Sequence, residues 1–223
     1  MAIGLGIHIA ITLFSMAALA LELIYLEAVQ MAPLSELLRD FAAPSTIDLL
    51  VMTSSLAELL AWLVVGVMSL VWIHRVNANA HGLANGMQSS SAWAVGWFFV
   101  PIALLWKPFR GIEEAWKVSH APDRWQILDT PPLLRIWWGF WIVSGFVGNI
   151  ASRMTWSAQT VEDYIASDRA MLLSALVYVP TMLLFLQIVR RLTRAQSGVI
   201  RSRREALRLG GETLPPFAGA NAP

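Results

Sequence analysis

The chain has no cysteine. That excludes disulfides, thiolate metal ligands and cysteine nucleophiles, and it leaves the redox compartment open. Charge is scarce too. Asp, Glu, Lys and Arg make up 14% of 223 residues, against roughly 25% in soluble domains. Hydrophobic residues make up 57%. So few charges cannot cover a water-facing surface, and a lipid-facing one is the direct explanation. The net charge of +1 gives no reason to expect a nucleic-acid partner. There is no HExxH, no Walker motif, no Ser/His/Asp arrangement and no phosphate-binding glycine pattern. No metal or cofactor is expected. What the chain does have is tryptophan. Several of its 11 Trp stand where apolar runs meet polar ones, as in an interfacial belt.

Four long apolar runs read as membrane spans: Ile3–Tyr25, Leu49–Ile73, Leu133–Met154 and Met171–Val189. The first has no basic residues before it and is too long for a signal-peptide core of about 7–15 residues, so it reads as a retained span. A fifth apolar run, Ala92–Trp106, is short. At about 1.5 Å per residue it reaches roughly 22 Å, against a hydrocarbon core about 30 Å thick. Pro101 lies in its middle and removes a ladder hydrogen bond. This predicts a half-membrane or re-entrant segment over 92–106. Pro108 suits the first turn of a new helix, and Ile112, Ala115 and Trp116 give residues 108–118 one apolar face. That predicts an amphipathic helix lying on the membrane surface. The fold expected is therefore all-α and membrane-embedded. Four transmembrane helices, a Pro-containing half-membrane segment and a surface helix compete with a five-span alternative.

Seven arginines from Arg190 to Arg208 predict a cytoplasmic C-terminus and contact with anionic lipid headgroups. They divide the chain into a polytopic membrane domain, 1–193, and a basic, then disordered tail, 194–223. Charge does not choose the topology. Four spans put Arg75, Lys107, Arg110, Lys117, Arg124, Arg135 and the tail's seven inside, 13 of the 16 cations; five spans exchange Arg75 for Arg39 and again give 13.

One long motif is distinctive. It comprises Trp72, Arg75 and Asn79, then WAVGWFFVPIALLWKP from Trp93 to Pro108, then Glu114 and Trp116. WWGFWIVSGFVGNIASRM, from Trp137 to Met154, continues it. This pattern resembles the DUF4328 family over about Val51 to Leu192. The resemblance implies a bacterial integral membrane protein, with the inner membrane as its location. It implies no established activity and no catalytic residues. It marks Trp93, Trp97, Pro101, Trp106, Pro108, Glu114, Trp116 and Asn149 as structural motif positions.

Three groups of residues stand out as candidate sites. Trp72, Arg75 and Asn79 share one helical face, where Arg75 could bind an anion or lipid headgroup, or simply snorkel at the interface. Glu22 and Glu58 lie inside apolar runs, where ionisable groups are costly. Counted inward from Ile3 and Ile73, they sit within about one turn of the same depth, so a facing pair could share a proton or hold a cation. Asn149 and Arg153 are four apart, and the four-span topology predicts an ion pair from Arg153 to Glu22 or Glu27. His8 and His74, toward one membrane side, give thin grounds for a haem or metal site.

Three function classes follow. The first is a non-catalytic scaffold or accessory subunit packed against a membrane partner or a second copy. The second is a small-molecule or ion transporter or channel using the carboxylates. The third is a lipid-modifying enzyme, the weakest of the three because no nucleophile or metal set is evident.

Overall fold

A computed structural model describes residues 1–31 and 46–209. Every regular element among the described residues is helical. The main helices are α1 (Ala2–Met31), α2 (Thr46–His81), α3 (Ser91–Gly96), α4 (Lys107–His120), α5 (Pro132–Ser157) and α6 (Val161–Leu209). Four of them, α1, α2, α5 and α6, are long and apolar enough to cross a membrane. Their starts are legible in the chain. Pro132 opens α5, where its missing N–H costs nothing. Thr160 and Asp163 form a reciprocal cap at the start of α6: Thr160 N donates to Asp163 Oδ2 (3.0 Å) and Asp163 N donates to Thr160 Oγ1 (3.2 Å).

The short apolar run is not a straight span. Ser90 caps α3, accepting from Trp93 N at 3.3 Å. After Gly96 the chain narrows to a 3-10 turn, Trp97–Phe99, and then breaks at Pro101. Ile102 takes φ 66° and ψ −56°, and Ala103 N donates to Pro101 O across it at 2.7 Å. That is a γ-turn of the rare kind, and a β-branched residue at positive φ is strained. A second 3-10 turn, Ala103–Leu105, leads into α4. The arm Ser91–Phe99 and the arm Ala103–His120 meet at 117°. Nine residues of helix reach about 13 Å, well short of a bilayer core. This favours four spans with a broken segment.

The chain divides into two compact units. Among the described residues, one holds residues 66–138 and 186–209. Its core gathers Ile73, Val76 and Ala80 of α2, Ile112, Ala115 and Val118 of α4, Leu134 of α5, and Ile188 and Leu192 of α6, all buried. The helix α4 is amphipathic as its sequence predicts. Its apolar face is nevertheless covered by protein: Ile112, Ala115 and Val118 are each 0% exposed. The expectation that this face lies on lipid is corrected accordingly. Gly111 permits that packing, because a Cβ there would meet the Ala94 Cβ at 3.3 Å. Arg203, on the last turns of α6, donates to the carbonyls of Gly82 (3.4 Å) and Leu83 (2.8 Å). The domain boundary expected at residue 193 therefore falls inside a helix that continues to Leu209. The disorder expected of the tail concerns residues 210–223, which lie outside the described residues.

The other unit holds residues 3–31, 46–65 and 139–185. Its helices meet through small and polar side chains. A Cβ on Gly148 would lie 3.3 Å from Ser174 Oγ, so α5 and α6 approach closely there. Ser144, one turn earlier, is buried. Toward α6's start, Arg169 pairs with Glu27 at 2.7 Å.

Candidate functional site

Within this second unit, α1 and α2 bring together the side chains with the most chemistry. Polar residues at His8, Thr12 and Ser15 recur at helical spacing and share one face of α1. The face of α2 that meets them carries Ser54 and Glu58. His8 is 1% exposed, and its Nε2 lies 3.0 Å from Glu58 Oε1. The Thr12 hydroxyl is 2.8 Å from the same carboxylate oxygen and 3.0 Å from the His8 carbonyl, so its one proton serves either acceptor. One turn on, Ser15 donates to the Ser54 carbonyl at 3.3 Å. From α6, the Tyr178 ring meets the His8 ring edge-on, 5.8 Å between centroids.

Two atoms of this cluster are buried without a hydrogen-bond partner among the described residues, His8 Nδ1 and Glu58 Oε2. Burying an unpaired polar atom is costly, so such atoms mark places where something other than packing decides the residue. Chemically the couple could take up a proton. With a neutral imidazole and a carboxylate its net charge is −1. One added proton, whether written on His8 or on Glu58, makes the couple neutral overall.

This arrangement corrects the expected Glu22–Glu58 pair. Glu58 faces His8, and Glu22 lies fourteen residues along α1 from His8, about 21 Å by helical rise. The depth count from Ile3 and Ile73 fails because α2 is staggered: its apolar run extends well past the start of α1. Glu22 instead lies within electrostatic range of Asp168 and Asp48. Asp168 is buried with Oδ2 unpartnered among the described residues. The ion pair expected from Arg153 is also not formed. Arg153 donates to Asn149 Oδ1 at 2.9 Å, and Arg169 takes Glu27. A helical neighbour four residues away costs less side-chain entropy to hold than a partner on another helix.

Elsewhere the motif residues do structural tasks. Trp72 donates to Thr193 Oγ1 (3.2 Å) and Asn79 to Gln196 Oε1 (3.3 Å), so both tie α2 to α6. Arg75 itself is exposed. Trp116 is buried and stacks on the ring of His120, 4.6 Å between centroids. Pro108 is buried in the first turn of α4, which Trp106 precedes. Glu114 accepts from Gln88 N at 3.2 Å, and burial raises its carboxyl above the ordinary glutamate value. His74 is exposed, and the described residues contain no group of three His or carboxylate side chains able to hold a metal ion.

A helical chain with four membrane-length apolar helices belongs to the class of multi-span α-helical membrane proteins. Its family can be stated as well. The domain of unknown function DUF4328 matches residues 36–194, most of the chain, and the protein is a member of that family. Glu58 and Tyr178 fall inside the matched stretch, while His8 and Thr12 precede it. No curated protein and no solved structure matched the chain.

Proposed function

We propose that the protein is a small proton-coupled transporter or channel, with the His8–Glu58 couple as its proton-binding element. The observation that carries this reading is the 3.0 Å contact between two ionisable side chains inside apolar helices, each with one unpartnered atom. Glu58 stands nine residues inside the apolar run that begins at Leu49, about 13 Å along the helix. At such depth a charge is expensive, and ionisable residues there commonly serve ion or proton pathways. Loading one proton neutralises the couple and removes that cost. A conformational change that moves the couple between the two membrane faces would then be coupled to a proton.

The test is proton flux in liposomes containing the purified protein and a pH-sensitive dye, driven by a potassium diffusion potential. Flux above that of empty liposomes, lost in Glu58→Gln and kept in Ser15→Ala, supports the reading. Wild-type flux equal to that of empty liposomes, or undiminished flux in Glu58→Gln, sinks it.

The accessory-subunit role is the second reading, and α1 favours it. Only 11% of the apolar window of α1 is buried, so most of that face is open to lipid or to another helix. Co-purification of one membrane protein at fixed stoichiometry, with no proton flux, would select it.

A further inference from the structure

The unit built on α4 holds a small polar cavity of about 250 Å³ beside the Pro101 break. Its lining comes from the motif itself. Trp93 and Trp97 supply ring faces 4.6 Å apart, Lys107 and Arg110 supply cations, and Ser89 and Glu114 complete it. Gly96 makes room for the Trp93 ring, since a Cβ there would lie 3.1 Å from it.

Arg110 and Glu114 stand four residues apart on α4, the usual spacing for an ion pair. Yet no ion pair joins them among the described residues, and Glu114 is instead engaged by the Gln88 N–H at 3.2 Å. Lys107 Nζ sits 5.2 Å over the Trp97 ring, which fixes it at the rim without neutralising it. Arg110 is exposed, and its guanidinium has no hydrogen-bond or ion-pair partner among the described residues. Lys107, Arg110 and Glu114 fall at i, i+3 and i+7 along one face of α4, and two cations followed by a carboxylate complement a zwitterion laid along it.

The surroundings say which kind. Between the lining residues Trp97 and Lys107 the chain carries Phe99 and Ile102 to 71% exposure each, with Trp106 at 43%. An apolar surface meeting Trp rings and basic side chains has the composition of a membrane interface. The volume lies just below the roughly 300–1,000 Å³ of sites that enclose whole drug-sized ligands. It suits a headgroup with its acyl chains left outside.

The geometry points to a lipid site: a phosphodiester headgroup bearing an amine, with phosphate on Lys107 and Arg110, ammonium on Glu114, and acyl chains along Phe99 and Ile102. The site is separate from the His8–Glu58 couple.

Native mass spectrometry of the full chain in a mild detergent tests it, with matched-acyl phosphatidylethanolamine and phosphatidylglycerol added in turn. Wild type should retain phosphatidylethanolamine preferentially. Lys107→Gln/Arg110→Gln should weaken its retention about tenfold, as expected for loss of charge-assisted bonds. Glu114→Gln should keep lipid binding but lose the preference between the two headgroups. Arg75→Gln, an exposed cation elsewhere on α2, should behave as wild type. Circular dichroism establishes that each variant is folded; should Lys107→Gln/Arg110→Gln unfold, Arg110→Gln alone carries the test. Unchanged retention in the cation variants overturns the site, and equal retention of the two lipids by wild type overturns the amine. Displacement by equimolar glycerophosphoethanolamine overturns the lipid in favour of a soluble headgroup.

Discussion

Consider replacing His8 and Glu58 with leucine, singly and together. Glu58→Leu strands His8, whose Nδ1 already lacks a partner among the described residues and whose Nε2 would lose its contact, in a residue 1% exposed. An orphaned buried polar group costs about 1–3 kcal/mol. Thr12 suffers less, because the His8 carbonyl remains as its acceptor. His8→Leu leaves Glu58 with Thr12 alone, its other carboxylate oxygen already lacking a partner among the described residues. Its cost should fall in the same range. The double variant removes both polar groups and fills the space with two apolar side chains. The fourth corner of the cycle should therefore be less destabilised than the sum of the singles, by about 1–3 kcal/mol. Reversible unfolding of the four proteins in mixed micelles, followed by tryptophan fluorescence, measures this coupling. Additivity within about 0.5 kcal/mol would refute the reasoning, because independent sites behave that way.

Other consequences can be checked in the same micelles. Ile102→Gly should stabilise the protein by about 0.5–2 kcal/mol, because relief of about 1–3 kcal/mol of backbone strain exceeds the extra chain entropy of glycine and the side chain is largely exposed; a lower melting temperature would contradict this. Gly111→Val should cost about 1–3 kcal/mol by overpacking against Ala94 and Asn77, and a neutral result would mean that α3 and α4 can part freely. Burial alone would raise Glu113, but hydrogen bonds from Lys117 and Thr130 outweigh it and hold its carboxyl below the ordinary glutamate value. A depressed acid stabilises the fold above its unfolded value, and that contribution is lost as pH falls through the folded one. Glu113→Gln should therefore lower stability at neutral pH and flatten its decline in acid; an unchanged acid limb in the melting curves would contradict this.

Much of the fold was legible because lipid imposes simple rules. Runs of apolar residues of bilayer length became α1, α2, α5 and α6, and the proline at 101 became the break it predicts. Local caps such as Thr160 and Asp163 were equally visible in principle. What the chain did not reveal was stagger between helices. The ends of apolar runs are poor markers of depth when one helix overruns its neighbour, and so Glu58 was matched to Glu22 when its partner is His8. A signal was nonetheless present: His8, Thr12 and Ser15 repeat on one face of α1, and Ser54 and Glu58 repeat on α2. The extension of α6 to Leu209 was hidden for a different reason. Polar, arginine-rich sequence looks like a tail, but Gln196 and Arg203 hold it by bonding the carbonyls of Val76, Gly82 and Leu83.

The central proposal is that His8 and Glu58 share one exchangeable proton. Difference infrared spectroscopy of the protein in lipid, stepped in pH, reads it directly through the carboxyl stretch of Glu58. The account predicts a carboxyl band that responds to pH, is absent in Glu58→Gln, and shifts in His8→Phe because the imidazole no longer shares the proton. A band that is the same with and without His8, or no pH-responsive band from Glu58 at all, would contradict it.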